Sequence, residues 1–216
     1  MSKLNILALS DIHYHREYLH PLSSVISNNE IDCIVICGDI TNFGTKKDAV
    51  GILNEIKKLG LPLFAIPGNC DQLSVIGALE ELEINLHEKK VFFKGYSLYG
   101  FGGGLKSPFN TPFEHDDSVF YQKIAPLVTT KEQAIFVFHM PPYNTKLDNI
   151  GCGHVGSQSI RDLIEEFNPA LVLCGHVHEA RGIDRINETT IVNPGVFAYG
   201  ELAIVSDEKN VKFIYI

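Results

Sequence analysis

The chain has 216 residues, 45% of them hydrophobic and 20% charged, and a net charge of -8. That length and composition suit one globular domain able to bury a substantial core. The acidic balance excludes a broad nucleic-acid footprint, which needs a basic face, and no stretch approaches the ~20 apolar residues of a membrane span. Cys33, Cys37, Cys70, Cys152 and Cys174 are odd in number and show no paired framework. They read as reduced thiols, with Cys33 and Cys37 on one side of a strand and in the core. The apolar stretch before Asp11 is too short for a secretory signal, so the expected location is the cytoplasm.

The first seventy residues alternate strand and helix patterns: a strand over 4–9, a helix over 17–29, a strand over 32–37, a helix over 46–59 and a strand over 61–66. Ile52, Leu53, Ile56 and Leu59 recur at helical spacing, and Gly60 is a C-terminal stop. Such a start predicts parallel strands with right-handed crossovers. A helix over 72–83 follows, then short antiparallel strands over 91–94 and 96–101 separated by Gly95. The loop from Gly102 to Pro112 is long enough to be a lid or a binding loop. A helix over 116–126 and a strand over 134–138 resume the alternation. Strands over 181–186, 189–192, 199–205 and 211–215 end the chain, with turns at Asn187-Glu188 and 207–210. One domain spanning 1–216 is the simplest organisation.

Five apolar runs each deliver candidate metal ligands in the loop that follows. Asn5–Ser10 leads to Asp11 and His13, Cys33–Gly38 to Asp39, and Leu63–Gly68 to Asn69. Ala134–Phe138 leads to His139, and Leu171–Gly175 to His176 and His178. Parallel strands present their C-terminal ends on one edge, where ligands collect. These side chains therefore converge in one cluster, and imidazole with carboxylate and amide oxygen suits Mn, Fe, Zn, Ni or Co. Two such divalent ions ~3.5–4 Å apart clamp the attacking and leaving oxygens of a phosphoryl displacement and acidify the water between them to a bridging hydroxide.

The motifs Asp11-Ile12-His13, Gly38-Asp39, Gly68-Asn69-Cys70-Asp71, His139 and Gly175-His176-Val177-His178 resemble, in order, the five blocks of the calcineurin-like metallophosphoesterase superfamily. The runs His139–Thr145 and Cys174–Glu179 are similar to a microbial branch of small phosphoesterases. The resemblance implies an α/β fold, a four-layer αββα sandwich of two mixed sheets flanked by helices. It also implies a division of ligands: Asp11, His13 and His178 on one metal, Asn69, His139 and His176 on the other, with Asp39 bridging.

Two departures from the pattern matter. The third block usually carries His after Asn, and that His assists the leaving oxygen; here the position is Cys70, and Asp71 is left with a structural role. Phe43 stands where protein Ser/Thr phosphatases of the superfamily place a phosphate-gripping Arg, which argues against phosphoprotein substrates. Asn42, Tyr143, Asn144 and Lys146 are candidate phosphate contacts, and His154, in a glycine-rich loop, is a candidate proton donor in place of the missing His. Residues Phe101 through Phe113 are candidates for an apolar cleft wall or for a loop anchor. Asn193-Pro194-Gly195 reads as a supporting turn, and His15, His20, His87 and His115 as surface residues.

The expected function is binuclear hydrolysis of small phosphoesters. Diesters are favoured, because weak acid assistance at Cys70 suits better leaving groups. The alternatives are a phosphomonoesterase and a metal-binding scaffold that kept the fold without the chemistry. A nuclease acting on long polymers fits the charge poorly.

Overall fold

The computed structural model describes residues 4–129, 133–206 and 210–216. Its strands, in chain order, begin with β1 (Asn5–Leu9), β2 (Cys33–Ile36), β3 (Leu63–Ala65), β4 (Lys89–Phe93), β5 (Tyr96–Phe101) and β6 (Gly104–Leu105). They continue with β7 (Glu114–His115), β8 (Gln133–Phe138), β9 (Leu171–Leu173), β10 (Gly182–Ile186), β11 (Thr189–Asn193), β12 (Glu201–Ser206) and β13 (Val211–Tyr215). The helices are α1 (Leu22–Ser27), α2 (Lys46–Lys57), α3 (Ser74–Glu81), α4 (Ser118–Ile124) and α5 (Gln158–Phe167).

Two-residue alternation along the buried strands decides the layering. In β1, Leu7 and Leu9 enter one apolar layer with helix residues Ile52 and Ala78, while Ile6 and Ala8 enter a second. The second layer is shared with Leu98, Ile135 and Leu171 of the other sheet, so it lies between the sheets. In β8, Phe136 and Phe138 point to a third layer, which Phe120 of α4 and Leu163 of α5 complete. Three apolar layers give four layers of secondary structure, helices outside and two sheets within. Burying a side chain such as Phe136 or Leu163 contributes about 1.5–3 kcal/mol against exposure.

The first sheet runs β13-β12-β1-β2-β3 and the second β10-β11-β9-β8-β5-β4; β6 and β7 form a separate pair. Pairs β1–β2, β2–β3, β5–β8, β8–β9 and β9–β11 are parallel; antiparallel strands β13, β10 and β4 form three of the four sheet edges, and parallel β3 forms the fourth. The turn at Lys94-Gly95 has both residues in the left-handed region, as a two-residue hairpin requires. Cys33 and Cys37 lie together between the sheets, as expected.

Several boundaries differ from the sequence reading. The helix expected over 17–29 shrinks to α1, because Pro21 can only begin a helix and the preceding residues form turns. The helix expected over 72–83 is α3, Ser74–Glu81. The one expected over 116–126 is α4 plus a 3-10 turn around Pro126. The strand expected from 199 begins at Glu201, after a 3-10 turn that closes on Gly200. Helix α5 was not expected, although Ser157 caps it by accepting from the Ile160 N–H and Ile160, Leu163 and Ile164 form its buried stripe. The turn expected at 207–210 falls largely on residues 207–209, outside the described residues.

Candidate metal centre

The C-terminal ends of β1, β2, β3, β8 and β9 meet, and the seven candidate ligands come within a few residues of them. Four of the seven, Asp11, His13, Asp39 and His176, have φ between 45° and 70°. Asp and His tolerate this left-handed region better than most residues, but it still stores strain, which clusters at functional sites. Backbone approach is just as tight. A Cβ on Gly68 would sit 2.0 Å from Asp39 Oδ1, and one on Gly175 would sit 2.7 Å from Asp11 Oδ2.

The side chains fall into two groups that share Asp39. In the first, His178 Nε2 lies 3.2 Å from Asp11 Oδ1 and 3.4 Å from His13 Nε2. His13 Nε2 is 3.6 Å from both Asp11 Oδ1 and Asp39 Oδ2. In the second, Asn69 Oδ1 lies 2.9 Å from His139 Nε2 and 2.8 Å from His176 Nδ1, and His139 Nε2 is 3.5 Å from Asp39 Oδ1. Ligands ~2.0–2.2 Å from a central ion lie about 3.0–3.4 Å from one another, so both groups have the dimensions of a coordination shell. The two oxygens of Asp39 face different groups. His139 Nδ1 donates to the Cys37 carbonyl at 2.8 Å, which fixes the ring and aims Nε2 into the centre.

The electrostatics call for positive charge. Asp11 and Asp39 are 1% and 2% exposed. Burial alone would raise the Asp11 carboxyl, yet hydrogen bonds from His13 and His178 hold it well below the ordinary range. Burial also works against Asp39, and His139 overcomes it. Burial would lower His139, but Asp39 and Asp11 push it up to about 9. His176, buried beside His139, falls to about 4. Among the described residues, only histidines come within ion-pair distance of the two buried carboxylates. A proton on a ligating imidazole is what a bound cation displaces. The residues fit divalent metal.

Asp71 ties the centre together. Its fully buried carboxylate accepts from the backbone N–H of Ile40 (3.0 Å), Thr41 (2.7 Å) and Gly68 (2.9 Å), and from the Thr41 hydroxyl (2.7 Å). The loops carrying Asp39 and Asn69 are thereby locked in register, the structural role expected of Asp71. Cys70 is half-buried, its N–H donates to Asp39 Oδ1 at 2.8 Å, and its Sγ lies 3.5 Å from Asn69 Nδ2. Burial and Asp39 push its thiol well above the ordinary range. The sulfur also lies within 4.8 Å of ligand atoms on His13 and Asp39, so it borders the first metal group.

The other candidates lie outside the hydrogen-bond network of the seven among the described residues. Asn42, Tyr143, Asn144 and Lys146 are all exposed, and among the described residues none hydrogen-bonds to a candidate ligand. His154 Nδ1 is held at 2.8 Å by buried Asp148, and its ring packs edge-on against Tyr143. Asp148 also accepts from the N–H groups of Asn144, Thr145 and Gly156, making it the hub of the 141–157 loop. The Thr145-x-x-Asp148 capping pattern could have revealed it. His15 and His20 are exposed as expected, whereas His87 is buried and His115 half-buried. Both stack with Phe101 and Phe113, and His87 Nδ1 accepts from the Gly102 N–H at 2.9 Å, so neither is a surface residue. Phe101 and Phe113 are themselves buried and anchor the loop. Beside the second group lies a cavity of about 440 Å³, lined by Asn69 and His176 and by residues of the 105–114 and 150–155 loops. Only the first of those loops stands out in the sequence as a candidate wall.

A sequence pattern described as calcineurin-like phosphoesterase matches residues 4–180. The chain belongs to that family. Divalent metal ions are the family's usual cofactors, and the Asp and His clusters of this phosphoesterase can hold them. It is 39% identical over 173 residues to uncharacterized protein MJ1162 of Methanocaldococcus jannaschii, covering 78% of this chain and 79% of that one. It is 25% identical over 155 residues to a probable glycerophosphodiester phosphodiesterase, GpdQ, of Arcobacter nitrofigilis, covering 68% of this chain and 56% of the relative's length. The solved structure of TT1561 from Thermus thermophilus superposes with a TM-score of 0.82 at 22% identity over 99% of both chains, a likeness of fold. Strands β10–β13 lie beyond the matched residues and still complete both sheets, β12 pairing with β1 and β11 with β9. Among the described residues, no helix is long and apolar enough to cross a membrane.

Proposed function

We propose that this phosphoesterase hydrolyses small phosphodiesters at a centre of two divalent ions bridged by Asp39. The observation that carries the reading is the pair of ligand groups sharing one carboxylate, Oδ2 facing His13 and Oδ1 facing His139. Asp11, His13 and His178 would hold one ion, and Asn69, His139 and His176 the other. Mn, Fe, Zn, Ni and Co all suit these donors. Two such ions offset charge on the phosphoryl oxygens and lower the pKa of water toward neutrality. The protein's own contribution is placement. Asp71 fixes the loops of Asp39 and Asn69, and the Cys37 carbonyl fixes the ring of His139.

The preference for diesters rests on Cys70 and on the kinship with GpdQ. A thiol is a weak hydrogen-bond donor beside the departing oxygen, which favours leaving groups that need little protonation. The test is a hydrolysis screen of mono-, di- and cyclic phosphoesters on chelator-stripped protein, with Mn²⁺, Ni²⁺, Zn²⁺ or Fe²⁺ added back. Metal-dependent turnover, greater on activated diesters than on monoesters, is expected. Two bound metals without turnover of any ester would contradict it and favour the scaffold alternative.

A further inference from the structure

We infer that the substrate carries an apolar or aromatic ester group, which lies in the cleft beside Asn69 and His176; this rests on the phosphoesterase reading and adds the substrate class. The cleft, about 440 Å³, falls in the ~300–1,000 Å³ range of small-molecule sites. Leu105, Pro108 and Phe109 form one wall, Met140, Ile150 and Val155 the other, and Val177 lies between the two metal-ligating histidines of its own loop. Because Asn69 and His176 line the same space, a group bonded to phosphorus there can extend directly into the cleft.

Both walls are built, though each is a loop. Glu114 accepts from the N–H and hydroxyl of Ser107 (3.2 and 2.8 Å) and of Thr111 (2.9 and 2.7 Å), holding the 105–114 wall. Asp148 does the same for the opposite wall. On these fixed supports Phe109 is 85% exposed and Ile150 46% exposed, large apolar side chains turned to solvent at the mouth of the cleft. Water leaves such surface readily, and an apolar substituent takes its place. The polar groups in the cleft argue against a second anionic group. Glu179 adds negative charge, and Lys106 is paired with Asp116 at 2.9 Å. A small hydrophilic alcohol such as glycerol would use none of the apolar lining.

The test is a series of 4-nitrophenyl phosphodiesters whose retained group is methyl, butyl or hexyl, assayed on the metal-loaded protein. Each methylene buried in the cleft raises kcat/KM by about two- to fourfold. The hexyl-to-methyl ratio, which does not depend on how much enzyme is folded, should collapse in F109S and I150N. It should stay at the parent's value in F92S, which changes an exposed residue on edge strand β4. Calorimetric titration with hexylphosphonate against methylphosphonate gives a readout free of turnover, and the hexyl compound should bind more tightly by the same factor per methylene. If no ester is hydrolysed, the phosphoesterase reading fails and the phosphonate pair alone decides the cleft. A flat rate series, equal phosphonate affinities, or an unchanged ratio in F109S and I150N overturns the inference.

Discussion

Replacing Asp71 with Ala should destabilise the protein more than its distance from the surface of the centre suggests. The substitution strands the N–H groups of Ile40, Thr41 and Gly68, and an unsatisfied buried donor costs about 1–3 kcal/mol. Part of that is offset. Burial and the neighbouring Asp39 raise the Asp71 carboxyl from its ordinary 3.8 to about 6, so removing the charge at pH 7 recovers about 3 kcal/mol. The net expectation is a loss of about 3 kcal/mol, a drop in melting temperature of about 6–12 °C for a chain of this size. Asp71→Asn removes the same charge but keeps one acceptor oxygen, so it strands fewer donors and a much smaller loss than in D71A is expected. Thermal unfolding of chelator-treated protein at pH 7 measures both. A melting temperature for D71A within 2 °C of the parent would refute the reasoning.

Three further outcomes are expected from the structure. His87, pushed by burial from 6.5 down to about 4, folds as the neutral ring; the stability this gives is complete above pH 6.5 and is lost as pH falls through about 4. His87→Asn keeps an acceptor for Gly102, so urea midpoints should show the parent losing about 3 kcal/mol relative to H87N between pH 7 and 4, and a pH-independent difference would contradict it. Cys70→His should speed poor leaving groups more than nitrophenyl esters, since acid catalysis contributes ~10²–10⁴-fold only where the departing oxygen is basic. An equal gain on every ester would assign the residue to tuning of the centre. Asp39→Asn should lower metal content, read by elemental analysis, and abolish turnover while the protein stays folded by circular dichroism; full metal content in D39N would contradict the bridging role.

The parts that were legible in the sequence are those fixed by local chemistry. Apolar runs such as 134–138 and 171–173 had to be buried strands, and a polar ligand just past each run had to sit at a sheet edge. Elsewhere local pattern and tertiary packing compete. Leu19, Leu22 and Val25 have helical spacing, but Pro21 restricts the helix to the residues after it. The stripe of α5 was present in Ile160, Leu163 and Ile164, but the glycine-rich segment before it reads as loop and hides where the helix begins. His87 and His115 could not be told from surface histidines, because Phe101, which packs on both rings, comes from another stretch of the chain. The cleft was legible only in its 105–114 wall; the opposite wall lies some forty residues away in sequence, and each is held by its own carboxylate hub.

The central claim is that Asp39 stands between two metal ions, and anomalous diffraction from crystals soaked in Mn²⁺ tests it most directly. Two peaks about 3.5–4 Å apart are expected, one among Asp11, His13 and His178 and the other among Asn69, His139 and His176, each within bonding distance of a different Asp39 oxygen. A single peak at saturating metal, or two peaks of which either lies beyond reach of Asp39, would contradict it.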